Sequence, residues 1–529
     1  MLHSRPMENE TMTSSVPGRT GMNLLRQRRW LLLVAVGMVL VLGLAPLYLA
    51  PAVLALLAPL VPPVNDVHLP DAGSVLTADP PATRGPVLLI CIDALRPDHL
   101  PMYGYARPTA PGLAALAAES VLFEQAFTAS PSSLPGNASL LSGCWPARHG
   151  AFLSLQTAVN ARVPWLPSAL QAAGYTTAGV VGGGQVGAGW GFRRGFDSFY
   201  ESPDPIAAQV DRVIAFCEAT QGDTWFMFLH TYQTHAPLQP PPADRVFTDP
   251  RYAGPYRDGF SPAVLARLND GLADAPALAP ADAAHMVDLY DESIHAVDRE
   301  LQRLWQYLAR RGQLRQALII ITADHGEEFG EHGHWGWHSH SLHDELLRVP
   351  LLVHLPGHAA GGRRIALPAR TVDIFPTVTA VLGLPVPAAD GAALTELLDT
   401  AARPRTVIAQ MDNLDPGYRR VSLFPTTCLR TGTDKTIVHN EMNNYLHALA
   451  RLPFGAVFAR HPHSVYFTRG ERYDLERDPG EMQPLREGLL SRSAACSAIL
   501  SPFLIPVALD PARPDAASRQ VMRGLGYIR

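Results

Sequence analysis

Hydrophobic and polar positions along the chain fall into three regimes. In the first, from Trp30 to Val61, no charged residue occurs, and the run is mostly Leu, Val, Ala and Gly with a few prolines. A membrane-spanning helix needs about 20 apolar residues, and Trp30–Leu49 supplies them. Pro46 and Pro51 then interrupt the regularity, so Ala52–Val61 is expected at the membrane interface. The run is longer than the roughly 7–15 apolar residues of a cleaved signal peptide, which predicts an uncleaved anchor. Arg5, Arg19, Arg26, Arg28 and Arg29 precede it, whereas Asp66, Asp71 and Asp79 follow it before the next basic residue, Arg84. Because cationic flanks stay in the cytoplasm, residues 1–29 read as a cytoplasmic tail, 30–61 as a transmembrane anchor and the remainder as extracytoplasmic. The Pro-, Asp- and Ala-rich stretch 62–85 has no periodicity and reads as a linker.

The second regime, residues 86–385, alternates continuous apolar runs with longer mixed segments. Pro86–Asp93, Thr177–Val181, Trp225–Leu229, Ala317–Thr322 and Pro350–His354 are short and apolar throughout, as strands buried on both faces are. Thr109–Glu119, with a proline near its start, and Ala281–Gly312 read as helices. Strands alternating with helices predict a doubly wound, mostly parallel α/β sheet. The Gly-rich stretch Gly182–Gly191 lacks a following helix pattern, so a flexible loop is the better reading than a dinucleotide-binding turn. In the third regime, 386–529, short strands near Thr406–Met411 and Thr426–Arg430 predict a smaller C-terminal α+β subdomain.

Composition narrows the functional classes. A formal net charge of −5 over 529 residues offers no basic face for nucleic acid. The five cysteines, Cys91, Cys144, Cys217, Cys428 and Cys496, have no zinc-ligand spacing, and their odd number leaves at least one unpaired. Cys91 lies within an apolar run and is expected to be buried and inert.

Chemistry is expected at the carboxyl ends of the strands, where open α/β sheets bind ligands. Asp93 ends the first run; Asp324 and His325 end another. Two carboxylates and an imidazole form a candidate metal site that favours Mn²⁺ or Zn²⁺ over Ca²⁺, which prefers oxygen ligands alone. Ser130–Gly143 combines a Ser/Pro/Gly turn with a helix start placed at Ala138–Leu141, where a hydroxyl meets free N–H groups and a positive dipole end. His230 ends a strand and His235 follows it; His332, His334, His338, His340 and His343 crowd one segment, and imidazoles there suit anion binding or protonation of a leaving group.

With these motifs assembled, the sequence resembles the sulfatase family of the alkaline-phosphatase superfamily from about Pro86 to the C-terminus. Val87–Leu100 resembles its first metal-binding strand, Ser133–Gly143 its nucleophile motif, His230–Pro237 its histidine loop and Thr322–Glu327 its second metal motif. Leu342–Pro350 is similar to its next segment, and Tyr473–Glu481 and Gly524–Ile528 to its C-terminal endings. The resemblance implies an alkaline-phosphatase-like fold and hydrolysis of a sulfate or phosphate ester. It also implies one divalent ion held by Asp93, Asp324, His325 and the oxygen of Ser133. Ser133 is then the nucleophile, and His235 and His340, with His230 and His338, serve the anion and the leaving oxygen.

Three positions depart from the sulfatase pattern. Asn137 stands where the Arg that accompanies formylglycine conversion is expected, Ala94 replaces a second Asp, and His325 replaces an Asn. These changes resemble the branch that handles phosphate or phosphonate esters through an unmodified hydroxyl on Mn²⁺ or Zn²⁺. The expected substrate is a small-molecule, lipid or glycan ester. Two alternatives are a transferase moving a phospho-headgroup between envelope molecules and an inactive binding protein.

Overall fold

Side chains that avoid water on both faces make Val87–Ile92 the centre of the molecule: strand β1 is buried along its whole length. The computed structural model describes residues 84–152, 157–220, 222–240, 245–269, 278–411, 426–439, 469–485, 510–511 and 514–525. Segments 1–29 and 30–61 and nearly all of the linker lie outside these. Among the described residues, no helix is long and apolar enough to cross a membrane.

The elements that position the site follow in chain order. They are β1, α1 (Pro111–Ala118), β2 (Val121–Phe127), α2 (Ser133–Ser142), β3 (Thr176–Val181), β4 (Ser198–Glu201), α3 (Ile206–Ala219), β5 (Trp225–Thr231), α4 (Pro280–Arg310), β6 (Leu318–Thr322), β7 (Arg348–His354) and α5 (Ile374–Val381). The central sheet has the order β2-β7-β6-β1-β5-β3-β4, and the short strands Arg364–Ile365 and Ala369–Arg370 pair with β2. β1 is parallel to β5 and β6, and β3 is parallel to β4 and β5. β7 runs antiparallel to both of its neighbours, β6 and β2. The sheet is therefore mixed and mostly parallel. An apolar run such as Pro350–His354 signals burial but carries no strand direction, so the antiparallel setting of β7 was invisible in it.

One strand was not anticipated, and two other expectations change. Val121–Phe127 is a strand although Glu124 and Gln125 interrupt its apolar pattern; both are only partly buried. Helix α2 begins at Ser133, five residues before the predicted start. Pro135 there costs nothing, because the first N–H groups of a helix have no intrahelical partner. The Gly-rich stretch forms two short 3₁₀ turns, Gly184–Val186 and Ala188–Trp190, and Gly182–Val186 is buried.

Beyond residue 386, β8 (Val407–Met411), β9 (Thr426–Thr431), β10 (Asp434–His439) and β11 (Arg469–Asp474) form an antiparallel sheet in that order. Its apolar face joins Phe127, Leu342 and Leu347 of residues 86–385 in one core cluster with Val407, Met411, Cys428 and Tyr473. Lys435 is fully buried and reaches Asp344 at 2.7 Å and Glu481 at 2.6 Å, and Arg430 also meets Asp344. A charge at such depth is tolerated only because it is paired. Cys91, Cys144, Cys217 and Cys428 are buried free thiols, and burial pushes the Cys91 pKa well up, as expected of an inert side chain.

Candidate active site at the strand ends

Strand register brings the first groups together. Cys91 pairs with His230 across β1 and β5, and Asp93 N–H donates to Thr231 O at 3.0 Å. Asp93 therefore emerges beside His230, whose Nε2–H donates to Asp93 Oδ2 at 3.2 Å. On the other side of β1, β6 delivers Asp324 and His325. Asp324 Oδ1 accepts from Ala94 N–H at 3.3 Å and His325 N–H at 3.0 Å. All four side chains are buried.

Helix α2 closes the site. Ser133 is its first residue, and its Oγ lies 3.1 Å from His325 Nε2. His325 Nδ1–H donates to Gly326 O at 2.7 Å, which leaves Nε2 with a lone pair toward Ser133. Asn137, one turn on, donates from Nδ2 to Asp324 Oδ2 at 2.7 Å and to Ser133 O at 3.0 Å. The residue that departs from the formylglycine pattern thus ties the serine's turn to a candidate metal ligand. Gln185, from the Gly-rich stretch, accepts Leu134 N–H at 3.0 Å and braces the same turn.

The electrostatics show what the cradle lacks by itself. Burial and the neighbouring Asp324 carboxylate push the Asp93 pKa up to about 7. Burial also opposes ionisation of Asp324, but His325 and His230 outweigh it and hold Asp324 well below the usual carboxylate range. Asp93 Oδ1 is buried without a hydrogen-bond partner and lies 3.6 Å from His325 Nε2. His325 Nε2 is 3.9 Å from Asp324 Oδ2. Ligand atoms around a tetrahedral ion with bonds of roughly 2.0–2.1 Å stand about 3.3 Å apart, and the separations here lie near that value. Asp93, Asp324 and His325 therefore fit a divalent ion, and Ser133 Oγ lies 3.1 Å from one of these ligand atoms, His325 Nε2. The ion would satisfy the orphaned oxygen and allow both carboxylates to ionise.

The histidine-rich segment divides. His338 joins the site: its ring stacks on His325 at 4.2 Å and meets His235 edge-on at 4.8 Å. Burial and then His338 push the His235 pKa down to about 3, and burial likewise depresses His338. His340 is instead placed on Glu328, with Nε2 at 2.7 Å from Oε2 and its ring 3.8 Å from His334. His332 and His343 stack at 3.7 Å, with His332 on Glu345. Sequence reading assigned no role to Glu327, Glu328 or Gln185. Glu327 is fully buried 3.4 Å from His338, with Oε2 unpartnered. Its position directly after Asp324-His325-Gly326 was the available signal.

A parallel-type sheet with buried carboxylates, imidazoles and a helix-borne hydroxyl at its strand ends defines the class: an α/β enzyme built around a candidate cation site. A sulfatase family profile matches residues 86–384, more than half of the chain, and the chain belongs to the sulfatase family. It is accordingly a sulfuric or phosphoric ester hydrolase, as the sequence resemblance implied. Human N-acetylgalactosamine-6-sulfatase is 24% identical over 464 residues, covering 81% of this chain and 87% of that protein. Among solved structures, the phosphonate monoester hydrolase of Agrobacterium radiobacter aligns with a TM-score of 0.59 at 19% identity, covering 79% of this chain and 93% of that one. A 2-O GAG sulfatase aligns with a TM-score of 0.59 at 18% identity, covering 83% and 100%. At these identities the structural likeness shows the shared fold.

Proposed function

We propose that this chain hydrolyses a phosphate or sulfate ester through unmodified Ser133, with one divalent ion held by Asp93, Asp324, His325 and the serine oxygen. The observation that carries the reading is the 3.1 Å approach of Ser133 Oγ to His325 Nε2 at the first turn of a buried helix. When bound, the ion supplies Lewis acidity toward the ester and lowers the pKa of the hydroxyl. Mn²⁺ or Zn²⁺ suits a ligand set containing imidazole.

The protein's own groups do the rest. The positive end of the α2 dipole favours negative charge on Ser133 Oγ in its first turn. Asn137 holds the serine's turn and Asp324 in fixed relation. Ser133 gives up its hydroxyl proton to solvent and its Oγ attacks phosphorus or sulfur; the bond to the leaving oxygen breaks, and that oxygen takes a proton carried by His235 or His338. His235 and His338 are held neutral by burial, so each gains affinity for a proton on meeting an anionic ester. His230 donates to Asp93 and fixes its orientation. Water then attacks phosphorus and expels the serine oxygen. A serine sulfate is harder to clear in this way, so the unmodified hydroxyl favours phosphorus chemistry.

The test is a panel of matched aryl sulfate, phosphate monoester, diester and phosphonate substrates, each with Mn²⁺, Zn²⁺ and Ca²⁺, run on wild type and Ser133→Ala. Turnover of a phosphorus ester that vanishes in Ser133→Ala is expected. Exclusive turnover of sulfate would overturn the phosphorus preference, and transfer to an added alcohol in place of water would make the chain a transferase.

A further inference from the structure

At the end of the sheet away from the strand-end site, three side chains meet that the reaction does not use. His354 ends β7 and pairs with Ile319, near the start of β6. Asp324 lies five residues further along that strand direction, so roughly 15 Å separates the two regions. His354 is fully buried, and its Nδ1–H donates to Ala317 O at 3.1 Å. That bond leaves the Nε2 lone pair aimed at His358 Nδ1, 3.3 Å away. His358 Nδ1 is in turn 3.3 Å from Glu119 Oε2.

We infer that Glu119, His354 and His358 form a second divalent transition-metal site of the zinc type, remote from the catalytic one. One ligand atom from each of the three residues lies within 4.8 Å of the others. The two 3.3 Å separations match the roughly 3.3 Å expected between ligand atoms around a tetrahedral ion with 2.0–2.1 Å bonds. An imidazole whose other ring nitrogen donates to a backbone carbonyl is the usual arrangement of a metal-bound histidine. His358 is held at φ 59°, a left-handed conformation that few non-glycine residues adopt. The neighbouring turn is fastened to the same place, with Gly362 N–H donating to Ser120 O at 2.9 Å. Two histidines and one glutamate leave the fourth position to water, and the ion staples the turn after β7 to the α1–β2 junction. It acts as a clip without a part in ester cleavage.

The full chain, stripped with chelator and titrated with Zn²⁺ alone, tests this in wild type, His358→Ala and Glu119→Gln. Both substituted residues are partly exposed, and Glu119→Gln keeps the side-chain shape, so loss of folding does not confuse the count. Each variant is expected to bind one zinc fewer than wild type while hydrolysing the substrate panel as wild type does. Zinc-edge anomalous scattering from Zn²⁺-soaked crystals is expected to show a peak between Glu119, His354 and His358, separate from any peak near Asp324. Equal zinc counts in all three proteins, or no anomalous peak at the three side chains, would show a hydrogen-bonded histidine pair without metal and overturn the inference. Because the peaks are resolved in position, failure here is distinguishable from failure of the catalytic reading.

Discussion

Ser133 and Asn137 are the residues on which the proposed unmodified-serine chemistry rests. An unmodified serine predicts an intact peptide mass across residues 130–143; a loss of about two mass units, the mark of an aldehyde, would refute the alkoxide mechanism. Ser133→Ala is expected to abolish turnover, while Ser132→Ala and Ser139→Ala only weaken it. Asn137 contributes through Asp324, to which it donates at 2.7 Å. Groups that orient metal ligands typically carry 10–100-fold in metal affinity or activity. Asn137→Ala is therefore expected to lower ion affinity by about 10-fold or more, read by Mn²⁺ or Zn²⁺ titration alongside initial rates. Asp324→Ala, which removes a proposed ligand outright, is expected to lose both the ion and turnover; unchanged metal content and rate would remove Asp324 from the site.

At the level of elements, the distance between α2 and the end of β6 decides whether the cradle forms. A Cβ on Gly136 would lie 2.7 Å from the backbone oxygen of Asp324, closer than real contacts allow. Gly136→Ala must push the helix away from the strand. Such overpacking typically costs about 1–3 kcal/mol, and displacing Ser133 from His325 should reduce kcat more than stability alone would account for. Thermal unfolding and kcat measured on the same sample separate the two effects. The Gly-rich stretch shows similar close packing: a Cβ on Gly182 would lie 2.3 Å from the ring of Tyr232. Glycine density that read as looseness in the sequence is what lets this loop sit against its neighbours.

For the whole molecule, the C-terminal sheet is locked to the catalytic region by buried charge. Lys435 bridges Asp344 and Glu481, and Asp344 N–H also donates to Glu481 Oε2 at 2.6 Å. Removing one member of a buried pair leaves an uncompensated charge and usually costs about 3–5 kcal/mol. Lys435→Met is expected to destabilise the chain by about that amount in urea unfolding. At the same scale, we propose from the arginine asymmetry about residues 30–61 that the enzyme is membrane-anchored with its active site outside the cytoplasm. A reporter active only in the cytoplasm, fused after Ile528, should be silent; strong signal would sink that orientation.

The sequence by itself determined the family, the order of the buried strands' residues and the identity of the groups at their ends. Continuous apolar runs leave no soluble alternative to burial, and Asp93, Asp324 and His325 stand out because charge and imidazole follow such runs directly. It could not determine the direction of β7, the start of α2 behind a proline and a glycine, or the strand made by Val121–Phe127, because each depends on partners distant along the chain. The histidines show the same division. Their density marked the segment 332–343, but only tertiary packing sent His338 to His325, His340 to Glu328 and His332 to Glu345. Glu327, Glu328 and Gln185 were hidden for the same reason: a polar residue's role depends on what its burial brings within hydrogen-bonding distance. Local periodicity encodes which side chains leave water, and the fold decides which of them then meet.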